Sequence, residues 1–204
     1  MMVQGVSISE MVNQSITVLS KPSVATFEQY ERRGGQREAL IYVAIAAGIS
    51  ALAGLLRYLS FGVVNGLIAA VLSAVGTVAG YYVFSYAVYW MGKQQGGTGT
   101  QDEVFYTTSL YVAPLLAIGA LLSGVLGLIP FVGILAGLAA LVLSVYQIYL
   151  AYLATRSGMN LDQNKAIITV AVAFIAQFVV SLIIGAIVAA VIVVPAMLSG
   201  AVAP

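Results

Sequence analysis

The chain has 204 residues, eight of them basic and seven acidic, so charged side chains make up 7% and the net charge is +1. Soluble domains carry roughly 25% charged residues; with 61% of this chain hydrophobic, a water-soluble fold is excluded. There is no His and no Cys, which also excludes imidazole bases, thiol nucleophiles, disulfides, haem ligation and zinc or iron–sulfur sites built on those residues. The balanced charge offers no basic face for nucleic acid.

The few charges are clustered, and none occurs in 39–56, 58–92, 104–155 or 166–204. A helix rises about 1.5 Å per residue and needs about 20 residues to cross a hydrocarbon layer about 30 Å thick. The fold class expected is therefore all-α: a polytopic membrane helical bundle with five transmembrane helices and an amino-terminal amphipathic, interfacial helix.

Residues 1–38 read as the cytoplasmic segment. Val3, Ile8, Met11, Val12, Ile16 and Leu19 recur at spacings of three and four, opposite Gln4, Glu10, Asn13 and Gln14, which predicts a helix lying along a surface. With no Lys or Arg before Lys21 and several polar interruptions, a secretory signal is not expected, and no lipidation motif is present. Lys21-Pro22 ends the helix. Ser20 or Lys21 then leads into a second short element, with Pro22 in its first turn and Phe27 and Tyr30 packing towards the bundle. Six charges between Glu28 and Glu38 form a collar, broken by Gly34-Gly35.

The spans expected are 39–56, 64–90, 105–126, 131–154 and 166–194, followed by a short tail, 195–204. Arg57 closes the first span, with Tyr58 and Phe61 at the interface. The second begins after Gly62 and ends in an aromatic belt, Tyr81, Tyr82, Tyr86, Tyr89 and Trp90. Gln94 to Glu103, QQGGTGTQDE, reads as a flexible polar loop. Gly127-Leu128-Ile129-Pro130 marks the reversal between spans three and four, and Arg156 to Lys165, RSGMNLDQNK, is the last polar loop.

Basic residues are retained on the cytoplasmic side. With the amino terminus inside, Lys21, Arg32, Arg33, Arg37, Lys93, Arg156 and Lys165 are cytoplasmic and only Arg57 is outside. This predicts an outside carboxy terminus. Every ionisable residue falls at a span border, which argues against a pump with a carboxylate at midplane, where a charge costs at least about 2.5–3.5 kcal/mol. Inside the spans the notable polar pair is Gln147 and Gln177, expected to share an interhelical amide hydrogen bond or, alternatively, to line a polar pathway. Glycine pairs four apart, Gly62/Gly66, Gly76/Gly80 and Gly133/Gly137, suit close helix packing within the chain or between two copies. Gly96 to Gly99 lacks the features of a phosphate loop. Five spans cannot form two equal inverted halves.

The carboxy-terminal half, YTTSLYVAPLLAIGALLSGVLGLIPFVGILAGLAALVLSVYQIYLAYLATRSGMNLDQNKAIITV, resembles the membrane region of the Yip-one (Ypt-interacting protein) family, especially its prokaryotic members. The features that carry the resemblance are the polar lead-in to span three, the hairpin at Ile129-Pro130-Phe131-Val132-Gly133, Tyr146, Tyr149 and Tyr152 in span four, and the loop ending Asn164-Lys165-Ala166. Leu19 to Phe27 is similar to the Pro-to-Phe motif that precedes the first span in prokaryotic relatives. The resemblance covers roughly 18–194 and implies five spans with a cytosolic amino terminus. For eukaryotic members it implies binding of prenylated Rab-type GTPases and Golgi and endoplasmic-reticulum traffic. This sequence has neither their long cytosolic segment ahead of the first span nor their Asp-Leu-Tyr-Gly-Pro-type motif.

The function expected is that of a non-enzymatic membrane-organising or interaction protein without cofactor or metal. Its partners would be the lipid bilayer, proteins at the cytoplasmic face and, as a homo-oligomer, itself; nucleic acid is not expected. The membrane expected is the inner cell membrane, or that of the Golgi or endoplasmic reticulum in a eukaryote. The alternative is a small-solute transporter or channel. Gln147, Gln177, Arg156, Asp162 and Lys165 are the candidate interaction or pathway residues. A membrane enzyme could draw only on Asp102, Glu103, Asp162, Arg156 and Lys165, for which loop solvation is the simpler reading.

Overall fold

The computed structural model describes residues 5–124, 126–129 and 131–198. Val3, Gln4, Pro130, Gly200 and the end of the tail, named above, lie outside the described residues. Helices make up nearly all of the rest, with no strand among the described residues: α1 Ile8–Ser20, α2 Val24–Glu28, α3 Gln36–Tyr58, α4 Val63–Gln94, α5 Gln101–Gly124, α6 Val132–Met159, α7 Gln163–Val188 and α8 Val194–Leu198. Five helical stretches of 26–36 residues, Gln36–Phe61, Val63–Gln94, Gln101–Leu128, Val132–Met159 and Gln163–Leu198, are long and apolar enough to cross a membrane.

Local chemistry sets the helix ends. Ser7 caps α1, its hydroxyl accepting from the Glu10 backbone N–H while Glu10 accepts from the Ser7 N–H at 2.9 Å, a reciprocal capping box. Those bonds hold the exposed Glu10 carboxyl below the usual carboxylate range. Ser23 caps α2 by accepting from Thr26 N–H at 3.0 Å. Pro22 therefore precedes the cap instead of sitting in the first turn, because the hydroxyl able to satisfy the free N–H groups is one residue further on. A 3₁₀ turn, Leu59–Phe61, and Gly62 at φ +107° reverse the chain between α3 and α4. A side chain at Gly62 would be strained by the left-handed backbone. Pro114 leaves one carbonyl of α5 without its helical donor. A widened π turn, Ala189–Val193, precedes Pro195, which cannot donate to Val191.

The long helices form an up-and-down ring in the order α3, α5, α6, α7, α4, in which α3 packs closely on both α4 and α5, and α4 on α7. At one end, called proximal here, α1 and α2 fold under the bundle. Met11, Val18 and Phe27 are at most 1% exposed and join Tyr81, Phe84, Phe105, Tyr106, Tyr111 and Leu150 in one core. Ten successive residues of α5, Val104 to Ala113, are buried there. The amphipathic helix thus spends one face on the bundle, through Tyr106 Oη to Gln14 Oε1 at 2.7 Å and Tyr42 Oη to Ser15 Oγ at 3.0 Å. A second stripe, Ile8, Val12 and Ile16, still faces away from the bundle.

Two features depart from the sequence expectation. The loop 95–100 does not hang free: Thr98 N–H donates to Met159 O at 3.1 Å, and Gly97 and Gly99 are buried against the end of α6. A Cβ on Gly99 would collide with the Gly158 carbonyl, so glycine is what admits this docking. The aromatic belt is also split. Tyr82, Tyr86 and Trp90 share the lipid-facing side, but Tyr81 points inward, 1% exposed, with its hydroxyl donating to Phe105 O at 2.6 Å. A buried phenol is tolerated when a carbonyl accepts its hydrogen bond.

Candidate functional site: a distal vestibule and a proximal charge cluster

Beyond Pro114 the packing changes. The distal halves of all five long helices surround an open cavity of about 550 Å³, lined among others by Ser50, Ser73, Thr77, Ser123, Ser144 and Ser181. Small residues make the space: a Cβ added to Gly119 or Gly185, both in the lining, would meet nothing within 4 Å. Gly76 and Gly80 instead let α7 come close to α4, where a Cβ would lie 3.4 Å from Ile184 and 3.8 Å from Gln177 Nε2. That is close packing within the chain.

Gln147 and Gln177 both face this vestibule. They do not form the expected amide pair: Gln177 Oε1 is buried with no hydrogen-bond partner among the described residues. Both amides line one cavity, with no hydrogen bond between them among the described residues. The hydroxyls of Ser123, Ser144 and Ser181 donate back to the carbonyls of Gly119, Ala140 and Gln177 at 2.9, 2.9 and 3.1 Å. Their oxygens remain as acceptors facing the cavity. Arg57 and Tyr58 stand at the distal mouth. All seven acidic residues and the other seven basic ones lie at the proximal end, on α1, α2, the segment after α2, and the proximal helix ends and loops. Arg57 is thus alone, and exposed.

The other candidate residues sit at the opposite end. Asp162 caps α7, accepting from Lys165 N–H at 3.0 Å, and its carboxylate faces Lys165 Nζ at 3.8 Å in an exposed pair. Such a pair contributes at most about 1 kcal/mol. Arg156 Nη1 donates to Tyr152 Oη at 3.3 Å, its guanidinium lies 5.8 Å from the Tyr152 ring centre, and its Nε is buried without a partner among the described residues. The five residues therefore divide into two groups: an amide pair in the vestibule and a helix-end cluster at the proximal face.

That face has its own network, which sequence reading missed. Glu31 Oε2 accepts from Ser157 Oγ at 3.0 Å, Arg32 Nε reaches Glu103 Oε1 at 3.0 Å, and Gln36 N–H donates to Asp102 Oδ1 at 2.9 Å. These contacts tie the segment after α2 to α5 and α6. Their partners lie 66–126 residues apart in sequence, so no local pattern announces them. Burial holds the Glu31 carboxyl above its ordinary range; the Ser157 hydroxyl opposes this and the Glu103 charge adds to it. The folded state consequently holds the Glu31 proton more tightly than the unfolded chain does. The resulting stabilisation is present below the unfolded value of 4.5 and is lost as pH rises through the raised folded value. Glu31→Gln keeps an acceptor for Ser157 but cannot ionise. It is expected to raise Tm at pH 7 and to match the parent near pH 4, and a difference that does not change with pH would contradict this.

Fold and site together define a polytopic helical membrane protein, closed at one end and hollow at the other. Residues 16–185 match the Yip1 domain, and the chain belongs to that family. No curated protein and no solved structure matches it.

Proposed function

We propose that this Yip1-domain protein is non-enzymatic and acts by contact, holding partner proteins or lipids at its proximal face. In this reading the proximal face is cytoplasmic and the carboxy terminus lies across the membrane, since seven of the eight basic residues gather at that face. The observation that carries the reading is the locking of α1 and α2 onto the ends of α5 and α6, which makes the amino-terminal segment a rigid platform. Its outward side carries Ile8, Val12 and Ile16, 38–59% exposed, beside the exposed charges Lys21, Glu28 and Arg33. A stripe of this kind, four residues apart on one helix, suits an apolar groove of a partner or the acyl boundary of the inner leaflet. A trafficking role like that of eukaryotic relatives would use the same surface.

Photocrosslinking from Ile16 in native membranes tests the reading, with Ile148 on the lipid side of α6 as reference. Discrete protein adducts from Ile16 alone are expected; lipid adducts from both positions, with no protein, would remove the protein-contact reading. A second reading, a small-solute transporter or channel, is favoured by the vestibule. The packed aromatic core below Pro114 argues against a continuous pore. Flux into proteoliposomes that falls in Gln147→Leu and Gln177→Leu would support transport, whereas absent or unchanged flux would remove it.

A further inference from the structure

We infer that the distal vestibule is a binding site for a glycerophospholipid whose head group donates hydrogen bonds, with the phosphate at Arg57 and the head group directed into the cavity. This site lies at the end opposite the contact surface proposed above and does not depend on it.

Three observations carry the assignment. The first is charge. Arg57 is the one charged side chain at the distal end, exposed at the vestibule mouth, with every Asp and Glu side chain at the far side of the bundle. A guanidinium with no Asp or Glu partner among the described residues, placed where phosphate groups concentrate at a membrane interface, pairs with a phosphodiester through its planar fork. It also lines a smaller adjoining cavity of about 310 Å³ between α5 and α6, so its donors can turn inward.

The second is the polarity of the interior. Ser123, Ser144 and Ser181 donate to backbone carbonyls, which leaves their oxygens as acceptors, and the Gln147 amide also lines the wall. The wall therefore presents acceptors among its polar groups, and a group that brings N–H or O–H donors satisfies them. An ethanolamine or glycerol head group has such donors; a choline head group has none.

The third is access. In the ring of helices, α6 and α7 share much less contact than α4 shares with α7, although both line the vestibule. The seam between them opens sideways towards the surface marked by Leu141, Val145, Phe178 and Leu182, 56–63% exposed. A lipid can leave its acyl chains in that apolar surround and place only its head group inside. A volume of about 550 Å³ accommodates a head group and falls within the range of about 300–1,000 Å³ usual for small-molecule sites.

The test is native mass spectrometry of the detergent-purified full chain, titrated with phosphatidylglycerol, phosphatidylethanolamine and phosphatidylcholine of identical acyl chains. The first two are expected to be retained at collision energies that strip phosphatidylcholine. Arg57→Ala removes the phosphate partner. Gly119→Leu fills the cavity at a position where added atoms first meet open space, so the helix is preserved. Each is expected to reduce phosphatidylglycerol retention on the order of tenfold, Arg57→Ala by the loss of about one charge-assisted hydrogen bond and Gly119→Leu by occupying the head-group space. Lys93→Ala, at the proximal end, leaves retention unchanged. Equal retention of all three lipids, or indifference to both vestibule variants, would overturn the assignment and leave a water-filled cavity. Displacement of the lipid by equimolar glycerol 3-phosphate would overturn it in favour of a soluble phosphate ligand.

Discussion

Phe27→Ala is expected to destabilise the protein by about 3–5 kcal/mol, the usual cost of deleting a fully buried aromatic ring. Phe27 is 0% exposed, and its ring meets Tyr111 edge-on, with centroids 6.1 Å apart and planes at 88°. This single side chain pins a five-residue helix to the centre of the bundle. The helix is too short to hold itself together in water, so losing the ring releases α2 and with it α1. The visible result is a lowered Tm together with rapid tryptic cleavage at Arg32 and Arg33, sites expected to resist in the parent. Phe27→Leu, which keeps most of the volume, restores much of the loss. If Phe27→Ala leaves both Tm and cleavage unchanged, the amino-terminal segment is not part of the core.

Gly54→Val is the second large effect, of opposite physical origin. A Cβ on Gly54 would lie 2.9 Å from the Ala69 carbonyl oxygen and would press on the Ser73 side chain, so α3 and α4 must separate. Overpacking of this kind costs about 1–3 kcal/mol, which exceeds the few tenths that valine gains over glycine in helix propensity. Gly119→Ala provides the contrast. It meets nothing within 4 Å and should stabilise α5 by up to about 1 kcal/mol, the full propensity difference. Thermal unfolding of the two variants side by side should show shifts of opposite sign; a shared sign would mean that the helix spacing described here is wrong.

The five-helix architecture was readable in the sequence because charge is costly in hydrocarbon. The long charge-free runs 39–56, 58–92, 104–155 and 166–204 have to fall where the lipid is. Periodicity also identified α1, but an amphipathic pattern says only that a face is apolar, not what covers it. For Met11 and Val18 the cover is the end of the bundle, and only the Ile8, Val12 and Ile16 stripe remains outward. Tyr81 and Tyr82 are neighbours with identical side chains and opposite surroundings, because one residue along a helix is a turn of about 100°. Gln147 and Gln177 were visible as polar residues in apolar runs. Their shared cavity was not, since it depends on how far apart α6 and α7 stand. Arg57 reads as a span end, and the seven-to-one imbalance of basic residues singles it out.

The bundle is packed shut at the proximal end and open at the distal one, and the proximal end is proposed to be cytoplasmic. A chain without cysteine allows this to be tested directly. Single replacements Gly119→Cys and Ser181→Cys in the vestibule, Ser85→Cys and Ser109→Cys in the proximal core, and Ser20→Cys at the end of α1 can be treated with a membrane-impermeant maleimide on intact cells. The account predicts labelling of Gly119→Cys and Ser181→Cys from outside, none of Ser85→Cys or Ser109→Cys, and labelling of Ser20→Cys only after permeabilisation. Outside labelling of Ser20→Cys would reverse the orientation, and labelling of Ser109→Cys equal to that of Gly119→Cys would contradict the closed proximal core.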